Sequence, residues 1–137
     1  MTSQPRWERV ISANFPHNDD YQASSFLGQL HELAKWDEAA FWELDRALRD
    51  MPSPPVDAET SWRVFRIFSH LNVLLRDHAN SNTGFRILDM DADNFAEWCE
   101  RIQLTFEGVF SGKMLGNDLF EKTNPLLPDD TASEDLG

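Results

Sequence analysis

The sequence predicts a mainly α protein, a compact single-domain bundle of about four helices with room for a small strand pair. Three observations predict it. Apolar residues recur at helical spacing in four separate segments. An aspartate or serine stands at the N-cap position before each of them. A proline run, Pro52-Ser53-Pro54-Pro55, divides the second segment from the third. Apolar residues make up 41% of the 137, with five Trp and ten Phe, which is enough for one buried core.

Taken in order, Trp7 to Phe15 alternates apolar and polar residues and reads as a short strand or extended segment, followed by a loop at Pro16–Asp20. From Ser24 to Lys35, Phe26, Leu27, Leu30, Leu33 and Ala34 have helical spacing, with Ser24 or Ser25 as cap and Gly28 as a weak point. Asp37 caps a second helix whose stripe is Phe41, Leu44, Leu48 and Met51, ending before Pro52. Asp57 to Ala79 reads as the helix around which the rest packs. Val64, Ile67, Phe68, Leu71, Leu74 and Leu75 form its broad stripe, Phe65 lies on the edge, and Arg63, Arg66, His70 and Asp77 lie opposite. Arg63 and Arg66 are expected to pair with carboxylates of neighbouring helices. Asn80–Gly84 is a turn and Phe85–Leu88 a second short strand. Asp91 caps the last helix, which runs to about Phe110 with Phe95, Trp98, Cys99, Ile102, Phe106 and Val109 inside and a Glu97–Arg101 pair outside. Residues 1–125 are thus read as one globular domain and residues 126–137 as an acidic, disordered tail.

Charge narrows the partners. The chain holds 24 acidic and 12 basic residues, a net charge of −12. Phosphate backbones and anionic lipid repel such a chain and basic proteins attract it, so neither nucleic acid nor membrane is expected as a partner. The single cysteine, Cys99, forms no internal disulfide and suits a reducing compartment. The opening MTSQPRWERV lacks the apolar core of a signal peptide, and no run has the length of a membrane span. A cytoplasmic protein is expected.

No motif points to catalysis or a cofactor. Asp89-Met90-Asp91-Ala92-Asp93-Asn94 through Glu100 places acids at positions 1, 3, 5 and 12 of a calcium-binding loop, but Asn94 stands where the loop needs glycine, and helical periodicity already starts at Phe95. An acid-rich helix cap is the better reading, so no metal site is expected. His31-Glu32 lacks the second histidine of a zinc-binding H-E-x-x-H helix, and His70 and His78 fall on different sides of one helix. Cys99 on an apolar face reads as a structural thiol. There is no P-loop, no G-x-G-x-x-G and no G-x-S-x-G elbow. No catalytic residue and no cofactor are assigned.

Several stretches, in order, resemble the immunity protein 41 family of bacterial toxin–immunity systems: SFLGQL at Ser25–Leu30, WDEAAFWEL at Trp36–Leu44, VFRIFSH at Val64–His70, ERIQLTFEGVFSG at Glu100–Gly112 and NPLL at Asn124–Leu127. Specificity lies in their order and spacing, since none is a catalytic signature. The resemblance implies a small cytoplasmic protein that binds and neutralises one toxin domain, in the manner of contact-dependent growth inhibition, and it transfers no catalytic residue. A basic, nuclease-type toxin domain suits the acidic chain, because opposite charge speeds encounter.

Two acidic segments lack basic neighbours and are the expected partner surface. One holds Asp89 and Asp93; the other holds Glu38 and Glu43, with Trp36 and Trp42 beside them as anchors of the kind interfaces favour. Two other classes fit the same acids: a metal-binding module or enzyme built on Asp89–Glu100, and an acidic DNA mimic that blocks a nucleic-acid-binding protein.

Overall fold

The computed structural model describes residues 4–17 and 19–127. Among the described residues five α-helices follow one another, α1 (Arg6–Asn14), α2 (Phe26–Leu33), α3 (Glu38–Asp50), α4 (Ala58–Ala79) and α5 (Ala92–Ser111), with a 3-10 turn at Asn117–Leu119. The protein is mainly helical, and among the described residues there is no strand. The acidic stretch from residue 128 onward, most of the expected tail, lies outside the described residues.

The fifth helix is α1, where the sequence suggested a strand. The segment carries two periods at once. Trp7, Ile11, Ala13 and Phe15 fall on alternate positions, but Trp7, Val10, Ile11 and Asn14 stand at i, i+3, i+4 and i+7, and among the described residues there is no strand to pair with. Pro5, with φ −59°, presets the helical start, and Pro16 follows its end. Asn14 then latches α1 to α2: its Nδ2 donates to the Val10 carbonyl at 2.9 Å, and its Oδ1 accepts from the Leu27 N–H at 2.9 Å. Phe85–Leu88 is likewise a loop, not a strand. It is tied down at two points, by Ile87 N–H donating to His78 Nδ1 and by Leu88 N–H donating to the Ala34 carbonyl.

The expected caps form. Ser25, Asp37, Asp57 and Asp91 each accept a backbone N–H from the first turn of their helices. Helix α5 ends at Gly112, whose φ of 76° is the left-handed conformation glycine takes without penalty. Helix α2 ends the same way, but on Ala34 at φ 53°.

Helix α3, more than α4, is the hub of the bundle: α1, α2 and α5 pack on it, whereas α4 packs on α1 and α2. Helix α3 buries Phe41, Trp42, Leu44, Asp45, Ala47 and Leu48, six of its 13 residues. Helix α4 contributes Val64, Ile67, Leu71, Leu74 and Leu75 to the core, but Phe68 is only partly buried, its ring 4.8 Å from Phe106, and Trp62, Phe65 and Val73 face solvent. An aromatic cluster of Phe26, Trp36, Phe41, Trp42 and Trp98, with centroids 4.9–5.6 Å apart, joins α2, α3 and α5.

Candidate partner-binding surface

The surface is shaped by a charge pair that never reaches it. Arg101, expected outside beside Glu97, is fully buried, and so is Asp45 on α3. They meet through two parallel bonds: Arg101 Nε donates to Asp45 Oδ1 at 3.1 Å and Nη2 donates to Oδ2 at 2.7 Å. The remaining polar groups are satisfied as a buried pair requires. Arg101 Nη1 donates to the Lys122 carbonyl at 2.9 Å. Asn124 Nδ2 donates to Asp45 Oδ2 at 2.9 Å and to the Trp42 carbonyl at 3.0 Å, and Arg49 Nε donates to Asp45 Oδ2 at 3.2 Å. Phe120 covers the guanidinium, its centroid 4.6 Å away. This hub fastens the stretch from Asn117 to Asn124 across α3 and α5.

Drawing Arg101 inward leaves the outer face of α5 acidic. Asp93, Glu97, Glu100 and Glu107 stand at i, i+4, i+7 and i+14, a single line on the solvent side about 21 Å long. Lys122 is the cation beside it. Its Nζ lies 3.6 Å from Glu97 Oε2, donates to Asn94 Oδ1 and sits 5.2 Å above the Trp98 ring. Asp91, two residues before Asp93, is committed to its cap. It accepts from the Asn94 backbone N–H and side chain, which lowers its pKa. Asp89 precedes it in a left-handed turn at φ 55°, a conformation that aspartate tolerates better than most residues. Because helical backbone starts at Ala92, Asp93 and Glu100 are spread along α5 and do not curl round an ion. Among the described residues no three His, Cys, Asp or Glu side chains are placed to hold a metal.

Of the six residues expected at the partner surface, three converge. Trp36, Glu38 and Asp89 line one cleft of about 440 Å³, closed by Asn94, Trp98 and Lys122. The Trp36 indole N–H is buried without a hydrogen-bond partner. Asp93 is exposed one turn into α5. The chain matches no protein-family model, no curated protein and no solved structure. The two other residues are placed differently from the expectation. Trp42 is 4% exposed and belongs to the core, because α3 is covered on both flanks. Glu43 is not unpaired: Arg6 of α1 donates to it at 2.5–2.7 Å. Arg63 and Arg66 also differ. Arg63 bonds Glu59 of its own helix and Ser12 of α1, and Arg66 donates to His17 Nε2 at 3.0 Å.

Residues missed by sequence reasoning are Glu97, Glu100 and Glu107 as a line, and Lys122 and Trp98 as the far wall of the cleft. The line could have been read from spacing alone, had Arg101 not seemed its neutralising partner. Cys99 is half-buried, and burial pushes its thiol pKa up, away from nucleophilic use. No helix among the described residues is long and apolar enough to cross a membrane.

Proposed function

We propose that the protein is an immunity protein: a cytoplasmic binding protein that captures a basic toxin domain and occludes its active site or an essential surface. The observation that carries this reading is the acidic line of α5, Asp93, Glu97, Glu100 and Glu107, running beside the cleft of Trp36, Glu38 and Asp89. A charged ridge steers a basic partner, and the partly exposed Trp36 in the adjacent cleft offers an apolar anchor. The five ordered stretches that resemble an immunity family are the second support, and that resemblance stands on those stretches alone.

The test is charge reversal of Asp89, Asp93 and Glu100 to Lys in one variant, assayed against the toxin domain encoded beside this gene. The association rate is expected to fall at least about tenfold at low salt, and the deficit to shrink as salt screens the surface. The melting temperature should fall by no more than a few degrees, since lysine suits the left-handed turn at 89 and the first turn of α5 less well than aspartate but none of the three enters the hub, and cells should lose protection. A variant that associates and protects like wild type sinks the reading. The alternative of a DNA mimic draws on the same line of carboxylates. Salt-sensitive binding to many DNA-binding proteins, in place of one toxin, would favour it.

A further inference from the structure

Three of the chain's four histidines gather where α2 packs on α4 and the residues after α1 reach them. His31 of α2 and His70 of α4 bring Nδ1 and Nε2 to 3.2 Å, with their ring centres 4.9 Å apart. Chain spacing cannot show this pair, because its members are 39 residues apart. Beside it, Arg66 donates to His17 Nε2 at 3.0 Å and so occupies that nitrogen. We propose that His31 Nδ1 and His70 Nε2 are the two protein ligands of a site for a divalent transition metal of the zinc class, with water completing the shell.

Geometry is the first support. Two imidazole nitrogens about 2.1 Å from one ion and 3.2 Å from each other subtend about 100° at it, near the tetrahedral angle. With both rings aimed at that ion their centres fall about 5 Å apart, against 4.9 Å here. A straight N–H···N bond between the same atoms would set the centres about 5.5 Å apart. The second support is pre-organisation. The ligands stand on two helices held together by buried neighbours, Leu27 and Leu30 on α2 and Ile67 and Leu71 on α4, so no chain has to be ordered to bring them together. The third is chemistry. The groups whose charges act on His70 are His31, Arg66 and His17, and together with burial they lower its pKa. At neutral pH the imidazole is therefore uncharged and its lone pair is available to a metal. No carboxylate enters that set among the described residues, and a pair of imidazoles suits zinc, copper or nickel better than magnesium or calcium. Two features hold the affinity down. Arg66 sets a like charge beside the ion, and His70 Nδ1 is buried without an acceptor to raise the basicity of the ring.

Thermal melts of the whole chain in zinc chloride, with magnesium chloride as the control for charge screening, test the site. At 1 mM, zinc should raise the melting temperature by about 4–10 °C, the shift of a site with a dissociation constant on the order of 10–100 μM. Magnesium should not, and EDTA should reverse the zinc shift. His31 is exposed, so His31→Gln should keep the far-UV spectrum and a metal-free melt close to wild type while losing most of the zinc shift. His70→Gln should lose it as well. His78→Gln, on the same helix but turned to the Ile87 N–H, should keep the shift relative to its own metal-free melt. A zinc shift that survives His31→Gln, an equal shift with magnesium, or no shift in the wild-type chain would each overturn the proposal. None of these readouts depends on toxin binding.

Discussion

Asp45 and Arg101 are 56 residues apart in sequence and share two hydrogen bonds in the core. A carboxylate and a guanidinium both withdrawn from water offset their lost hydration only if nearly every donor and acceptor is used, and here carbonyls, Asn124 and Arg49 complete the set. Half of this was legible. Asp45 and Arg49 stand at i, i+4 on α3 and do pair, at 3.2 Å. Arg101 was not, because Glu97 four residues earlier offers an ordinary surface pair, and only the packing of α5 on α3 turns the guanidinium inward. Asp45→Ala leaves a buried guanidinium without its anion and should cost about 3–5 kcal/mol, whereas replacing Asp45 and Arg101 together by Leu and Met should recover most of the loss. Urea melts of both variants decide it. If the single variant loses less than about 1 kcal/mol, the pair is not what fastens the Asn117–Asn124 stretch.

Helices are specified by their ends as much as by their stripes. The four side-chain caps were readable because a capping residue acts within its own first turn. Helix α1 was not, because nine residues carry a period of two and a period of 3.6 equally well, and the neighbour decides. The two ends of α2 show opposite demands on small residues. At Gly28 an added Cβ would come within 2.6 Å of the Gln22 carbonyl oxygen and 2.7 Å of that of Ala23. The preceding loop folds against the helix there, which is why a poor helix former sits in it. At Ala34 the backbone is left-handed and carries a Cβ that opposes it. Ala34→Gly should therefore stabilise the protein by about 0.5–1 kcal/mol after allowing for the greater freedom of glycine in the unfolded chain, while Gly28→Ala should destabilise it. Thermal melts of the two variants should move in opposite directions, and a fall for both would mean that the α2 C-terminus is not strained.

At the scale of the whole molecule, acid should loosen the bundle in two stages. His70 of α4 lies 3.2 Å from His31 of α2, and burial, then the charges of His31, Arg66 and His17, lower its pKa from the ordinary 6.5. The unfolded chain therefore takes up a proton more readily than the folded one. This part of the stability is intact above about pH 6.5 and is lost as the pH falls from there through the lowered folded value. The capping carboxylates of Asp37, Asp57 and Asp91 also have lowered pKa values, chiefly because each accepts a backbone N–H, from Ala40, Thr60 and Asn94. Their contribution is intact above about pH 4 and is lost below it. The urea midpoint should thus decline as the pH falls below about 6.5 and decline again below about pH 4, and His70→Gln should remove only part of the first decline, because burial lowers the pKa of His78 as well. A wild-type midpoint constant from pH 7 to 5 would refute the His70 assignment.

By itself the sequence determined the helical class, the caps, most of the inner faces of α2, α3 and α5, though not that Leu33, placed on the stripe of α2, stays 61% exposed, and the acidic character of the surface. Each of these is a local property, set by spacing within one helix, by one turn of backbone or by composition. Tertiary structure decided the rest: that Trp7–Phe15 is helix, that α3 more than α4 lies at the centre, that Trp42 is core while Trp62 and Phe65 are surface, and which acids stand unneutralised. The physical reason is the same in each case. A helix shows which residues share a face, but only its neighbours determine whether that face is covered. The burial of Arg101 against Asp45 therefore turns an apparently balanced face of α5 into an acidic one.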